Sequence, residues 1–281
     1  MTSTSTYLVI GASTGLGRAT ATALRAQHRV VTIGRRPEDE IKADLRDLAD
    51  IARAANEAKA LGPLAGIACN AGVQDAGTPL YTPSGLEQTF AVNVLAHVAF
   101  LAHLAPPKET HIGFVGSGTL DPDNSGARRM GFKGGIYTSA PTLAAGKNDE
   151  SISAAQNGRN RYATSKLCDL LVVRALAARG VHAFAIDPGL MPGTGLARDY
   201  GPISRFLWST VLRVVALAMP GASTTKRSGR AFAWALENAK PGAYVDYRRR
   251  EMPIPAVAQR DDQAEDLYAH CLSLAGVADP F

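Results

Sequence analysis

Short apolar runs recur along the chain, separated by longer stretches in which Ala and Leu return at helical spacing. The runs Tyr7–Ile10, Arg29–Ile33, Gly66–Cys69, Ile112–Val115, Ala183–Ile186 and Ala243–Asp246 have the length of buried strands, and a further short strand is expected before Asp44. Arg18–Gln27, Leu48–Leu61, Leu86–Leu104 and Tyr162–Arg179 carry strong helix formers. Apolar strands alternating with helices predict a mainly parallel sheet covered on both faces. Right-handed connections make it a doubly wound α/β fold. No internal repeat or interdomain linker interrupts the 281 residues, so a single domain is expected. The apolar stretch Phe206–Met219 is too short to cross a bilayer and carries Arg213 in its middle. It reads as a packed helix or substrate lid, within a segment of about residues 190–220, with peripheral membrane contact as the alternative.

Composition narrows the classes. With 46% hydrophobic and 20% charged residues, the chain is neither mainly disordered nor fibrous. The first residues run straight into a strand without the features of a secretory signal, which predicts a cytoplasmic protein. Cys69, Cys168 and Cys271 fit neither a disulfide framework nor a zinc pattern, and the six histidines form no HExxH, so reduced thiols and a metal-free site are expected. The net charge of +5 is scattered, its one dense run being Arg248–Arg250; this predicts a solvated surface and no nucleic-acid partner.

The first chemical signal is Gly11-Ala12-Ser13-Thr14-Gly15-Leu16-Gly17, between the first strand and the first helix. Glycines there let the backbone turn sharply and approach a pyrophosphate, whose charge the helix start attracts. The pattern predicts a Rossmann-type dinucleotide site. At the end of the next strand, Gly34 is followed by Arg35 and Arg36, where an acid would receive the hydroxyls of a ribose lacking a 2′-phosphate. Two guanidinium groups there predict NADPH over NADH. Asp44, with Leu45 beside it, is expected at the adenine. The second signal is Tyr162-Ala163-Thr164-Ser165-Lys166, whose spacing of four puts phenol and ammonium on one helix face. A neighbouring cation favours phenolate, so Lys166 is expected to lower the pKa of Tyr162.

With Cys69-Asn70-Ala71-Gly72, Asn93 and Ser117 between them, these motifs stand in the order of the short-chain dehydrogenase/reductase family, which the chain resembles over nearly its whole length. The resemblance implies that Tyr162 protonates a carbonyl oxygen while NADPH delivers hydride to its carbon, and that Ser117 hydrogen-bonds that oxygen. It implies that Lys166 also holds the nicotinamide ribose, that Asn93 positions a water relaying protons to Lys166, and that Asn70, Ala71 and Gly72 line the cofactor. Pro188, Gly189, Met191 and Thr194 would meet the nicotinamide end, Thr194 replacing the contact that Gly193 cannot make. The 44 residues between Ser117 and Tyr162, about 118–161, form an insertion expected to wall the site. Similar insertions in monomeric carbonyl reductases obstruct dimerisation, so a monomer is expected beside the family-type homo-oligomer. Val92-Asn93-Val94-Leu95-Ala96-His97, Ser165-Lys166-Leu167-Cys168 and Thr194-Gly195-Leu196 resemble the branch of retinol dehydrogenases and light-dependent protochlorophyllide reductases. Leu190 and Gly72 depart from the protochlorophyllide enzymes. The expected substrate is a bulky, fairly hydrophobic ketone or aldehyde, enclosed by the insertion and the helix around Trp208. Reduction of a conjugated carbon–carbon bond and a non-catalytic NADPH sensor are the alternatives.

Overall fold

The computed structural model describes residues 5–75, 77–191 and 221–281. Among them, eight strands form one sheet in the order β3-β2-β1-β4-β5-β6-β7-β8. They are β1 (Thr6–Ile10), β2 (Arg29–Gly34), β3 (Ile41–Lys42), β4 (Gly66–Cys69), β5 (His111–Val115), β6 (Ala183–Asp187), β7 (Tyr244–Asp246) and β8 (Glu251–Met252). All pairs are parallel except β7 with β8. The order reverses at β1, where chain goes to β2 on one side and β4 on the other, and this crevice is where such sheets bind ligands. The fold is the expected Rossmann-type α/β arrangement.

The alternation along each strand serves two cores. Leu8 and Ile10 of β1 face one, with α2 (Leu48–Lys59), α4 (Ala96–Leu104), α7 (Ala154–Ala178) and α9 (Asp261–Ala275). Tyr7 and Val9 face the other, with α1 (Gly15–Leu24) and α8 (Thr225–Asn238). Gly229 permits the closest approach there: a Cβ on it would lie 2.5 Å from the Ala19 side chain and 2.8 Å from the Thr20 nitrogen.

The region of about 118–161 folds onto this frame. It holds a 3₁₀ turn (Gly118–Leu120) and two short helices, α5 (Ser125–Arg129) and α6 (Ala140–Ala145). Gly135 lies against α7, where a Cβ would come within 2.7 Å of the Ala163 carbonyl. The Ile136 N–H donates to Thr164 Oγ1 at 3.1 Å, and Tyr137 Oη donates to Asp266 of α9 at 2.5 Å. α7 begins at Ala154, eight residues before the expected start at Tyr162, because the Ser153 hydroxyl caps it by accepting from the Gln156 N–H at 3.2 Å. The expected insertion therefore ends at the cap, and its last residues belong to the helix. The expected helix Leu86–Leu104 begins at α3 (Gln88–Phe90) and passes through one π-helical turn, Ala91–Leu95, before α4. No helix among the described residues is long and apolar enough to cross a membrane. The stretch Phe206–Met219, with Trp208, and the contact at Thr194 lie outside the described residues.

Candidate active site

The glycine-rich turn joins β1 to α1. Gly11 (φ +83°) packs so closely that a Cβ would sit 2.7 Å from the Ala71 Cα, and at Gly17 one would lie 2.2 Å from the Gly11 carbonyl. Gly15 (φ +56°) is different: nothing lies within 4 Å of where its Cβ would be. Thr14, at the N-cap of α1, makes no side-chain cap hydrogen bond, whereas the caps Asp47, Ser153 and Thr224 all do. The start of α1 thus keeps uncapped N–H groups beside an open face, which fits an anionic phosphate linkage. Asn70 donates from Nδ2 to the Gly11 carbonyl at 2.8 Å, tying the end of β4 to the turn.

At the neighbouring corner, Arg35 and Arg36 are exposed after β2, and Arg36 is 4.0 Å from Glu38. An acid that the sequence reading passed over is also there. Asp39 is buried and accepts from Ser13 Oγ at 2.8 Å and from the Arg36 N–H at 3.1 Å, close above Gly34. Asp44 follows β3, but its carboxylate is held by Arg46 at 2.6 Å, a contact that lowers its pKa. Leu45 packs against the core beside it.

The other motifs converge at the ends of β5 and β6. Ser117 follows β5; its hydroxyl accepts from Thr119 Oγ1 at 3.0 Å and lies beside the phenol of Tyr162. Tyr162 and Lys166 lie on one face of α7, the ammonium 5.8 Å from the phenol ring centre. Lys166 donates to the Val115 carbonyl at 2.8 Å and to Asp169 at 3.0 Å. Asp169 is the second member missed: a charge at i+3 from Lys166 shares its face, which was a signal available in the sequence. Lys166 and Asp169 are 4% and 1% exposed, so little solvent screens the pair.

Lys166 acts on Tyr162 in the expected direction, but burial outweighs it. Burial raises its pKa; Lys166 pulls it down, but Asp169 and Asp187 push it up, and the net direction is upward. Burial alone would depress the Lys166 ammonium, and Asp169 and then Tyr162 more than offset it. Burial lifts the Asp169 carboxyl to about 6 against the pull of Lys166.

Asn93 sits in the π-helical turn, a distortion common at functional sites. Both donors of its side chain are used: Nδ2 donates to the Val73 carbonyl at 3.0 Å and to Ser165 Oγ at 2.9 Å, while Oδ1 accepts from the Val73 N–H at 2.8 Å. Its backbone carbonyl accepts from His97 Nδ1 at 3.0 Å. Asn93 therefore braces the segment after Gly72 against α7, and Oδ1, which accepts one N–H and has two lone pairs, keeps one acceptor site open. A Cβ on Gly72 would lie 3.4 Å from Asn93 Oδ1.

After β6, Asp187 accepts from the Gly189 N–H at 2.8 Å, and a Cβ on Gly118 would lie 3.3 Å from its Oδ2, so the Pro188–Gly189 loop and the turn bearing Ser117 meet at this carboxylate. Ser228 of α8 donates to the Pro188 carbonyl at 2.6 Å, and Met191 packs against the core shared by α1 and α8. From the insertion, Phe132 places its ring 6.2 Å from that of Tyr162. The arrangement offers a hydroxyl pair for a carbonyl oxygen, a cation behind it, and a cradle for a dinucleotide along the same strand ends.

Comparison with known proteins leads to the same place. The family model described as short chain dehydrogenase matches residues 5–118. Protochlorophyllide reductase B of Oryza sativa subsp. japonica is 25% identical, over 98% of this chain and 78% of that protein. The 3-alpha-hydroxysteroid dehydrogenase from Pseudomonas sp. B-0831, solved with NADH, is 25% identical with a TM-score of 0.58, covering 86% of this chain and 96% of that one. The NADPH-bound carbonyl reductase from chicken fatty liver shares the fold at 17% identity, with a TM-score of 0.60 and coverage of 89% and 99%. Fold and sequence agree: the chain is similar to the short-chain dehydrogenase/reductase oxidoreductases, whose family model matches its first part and whose solved structures share its fold.

Proposed function

We propose that the protein is an NADPH-dependent reductase of a bulky, fairly hydrophobic ketone or aldehyde, with alcohol oxidation as the reverse reaction. The observation that carries this reading is the placing of the Ser117 and Tyr162 hydroxyls beside each other, backed by Lys166 and flanked by the Phe132 ring. When bound in the cradle of Gly11–Gly17, a nicotinamide dinucleotide supplies the hydride. Ser117 donates a hydrogen bond to the carbonyl oxygen, and Tyr162 gives it a proton as negative charge develops. A phenol whose pKa is raised by burial holds its proton at neutral pH, which suits it to act as the acid. Lys166 stabilises the phenolate left behind. Phe132 presents an apolar wall, and α9, packed on α7 and α4, covers the outer helices and supports a monomer.

The choice of NADPH rests on Arg35 and Arg36, both exposed, with the contact of Arg36 to Glu38 a long one at 4.0 Å. Asp39 favours a second reading, NADH, because its carboxylate lies at the same corner. Two of its contacts, Ser13 and the Arg36 N–H, converge on one oxygen, which turns that oxygen inward. The deciding experiment follows NADPH and NADH absorbance separately over bulky ketones, aldehydes and enones. The expected result is NADPH-selective turnover of carbonyls, lost in Tyr162→Phe with cofactor binding kept. In Arg35→Gln/Arg36→Gln, the KM for NADPH should rise about tenfold or more while that for NADH stays. NADH selectivity, turnover of enones alone, or equal rates in Tyr162→Phe each reject the reading.

A further inference from the structure

A cavity of about 380 Å³ lies between the start of α8 and the turn joining β7 to β8. Five of its lining residues are cationic, Lys226, Arg227 and Arg230 from the helix and Arg248 and Arg249 from the turn; Thr224 and Tyr247 complete it. None of the five makes a salt bridge among the described residues. Asp246, the acid that anchors the turn, is itself paired with Arg250 at 2.6 Å. Like charges so gathered repel one another unless an anion joins them.

The cluster is held in place before any anion arrives. Asp246 accepts from the N–H groups of Arg248 and Arg250 at 2.8 and 3.0 Å, which fixes the turn. Arg249 adopts φ +66°, a left-handed conformation that costs an arginine energy and that glycine would take freely. Arg227 and Arg248 both stack on Tyr247, at 5.1 and 5.3 Å from the ring centre, and Arg249 lies over Trp234 at 5.8 Å. Fixed guanidinium groups around a concavity match the oxygens of phosphate.

We propose that this cavity binds a small organic polyphosphate, its phosphates held by Arg227, Arg248 and their cationic neighbours. Five cations gathered from two adjacent elements around one open depression favour a compact ligand of high negative charge over an extended polymer or a membrane surface. None of the lining residues belongs to the glycine-rich turn or to the Ser117–Tyr162–Lys166 group. The site nevertheless backs onto the active site, because a Cβ on Gly189 would lie 2.8 Å from the Tyr247 ring. The proposal does not depend on the reaction catalysed.

Inorganic pyrophosphate is the probe, titrated calorimetrically into the intact protein with and without saturating NADPH. Binding should persist with NADPH present, weaken as salt rises, and fall at least about tenfold in Arg227→Gln/Arg248→Gln, while Arg35→Gln/Arg36→Gln leaves it unchanged. The substituted side chains are exposed, so the melting temperature and NADPH affinity should hold; if the double variant melts early, Arg230→Gln alone is the second probe, expected to weaken binding severalfold. Displacement of pyrophosphate by NADPH would place it in the cofactor cleft and overturn the proposal. So would unchanged affinity in the cavity variants, or capture by phosphatidylserine vesicles with no pyrophosphate binding at low salt.

Discussion

At the scale of single residues, the buried carboxylate of Asp169 sets the electrostatics behind Tyr162. Its second oxygen, Oδ1, has no hydrogen-bond partner among the described residues, so its charge is satisfied by Lys166 alone. In Asp169→Asn, Lys166 loses its counter-charge and acts on Tyr162 unopposed. The phenol pKa should fall, moving the corresponding limb of the kcat/KM pH profile to lower pH. Stability should drop by about 3 kcal/mol, read by urea unfolding, because a buried charge is left unpaired. His97 gives a second prediction. Burial, then Lys166, lowers its pKa from 6.5 to about 3, so the native ring stays neutral where the unfolded one protonates. Its contribution is complete above pH 6.5 and is lost as pH falls toward 3, at up to about 1.4 kcal/mol per pH unit. Unfolding measured between pH 7 and 4 should show a shallower slope in His97→Gln. Residues whose chemistry follows from spacing, such as Tyr162, Lys166 and the glycines, were legible in the sequence. Asp39 was not, because it reaches Ser13 through a turn folded back from beyond β2, and nothing in a linear reading measures that return.

Among the elements, the close contact of α1 with α8 is the most exposed to substitution. Gly229→Ala would drive a methyl into Ala19 and the backbone of Thr20. The helices would have to part, at a cost of about 1–3 kcal/mol, seen as a lower midpoint in thermal unfolding with little change in the site. Buried elements were the easiest to foresee, since strands covered on both faces must be apolar throughout. The start of α7 was missed although Ser153-Ala154-Ala155-Gln156 carries the capping pattern, because Tyr162 and Lys166 drew the boundary to themselves. β8 is two residues long and pairs across a turn of three arginines, a pattern with no strand signal. The π-helical turn at Asn93 likewise has no periodicity of its own.

Across the whole molecule, the insertion and the C-terminal helix act as one clamp over α7. Tyr137 joins them through Asp266 and also receives the Ala140 N–H at 3.1 Å, and burial raises its pKa further. Tyr137→Phe removes both bonds and should lower stability by about 1–3 kcal/mol. Limited proteolysis should then cut first within 118–153, and the turnover of large substrates should suffer more than NADPH binding. The existence of this segment was visible as an overlong interval, but its path depends on contacts such as Gly135 on α7 that only the folded chain brings together. The three thiols offer a clock for such openings. Cys69, Cys168 and Cys271 are free and fully buried on β4, α7 and α9, and burial raises the pKa of each. An alkylating reagent can reach each one only when its own part of the core comes apart. Mass spectrometry of the labelled peptides over time would therefore read three separate opening rates from one unmodified sample, and rank strand against helices in the order in which the native state lets go.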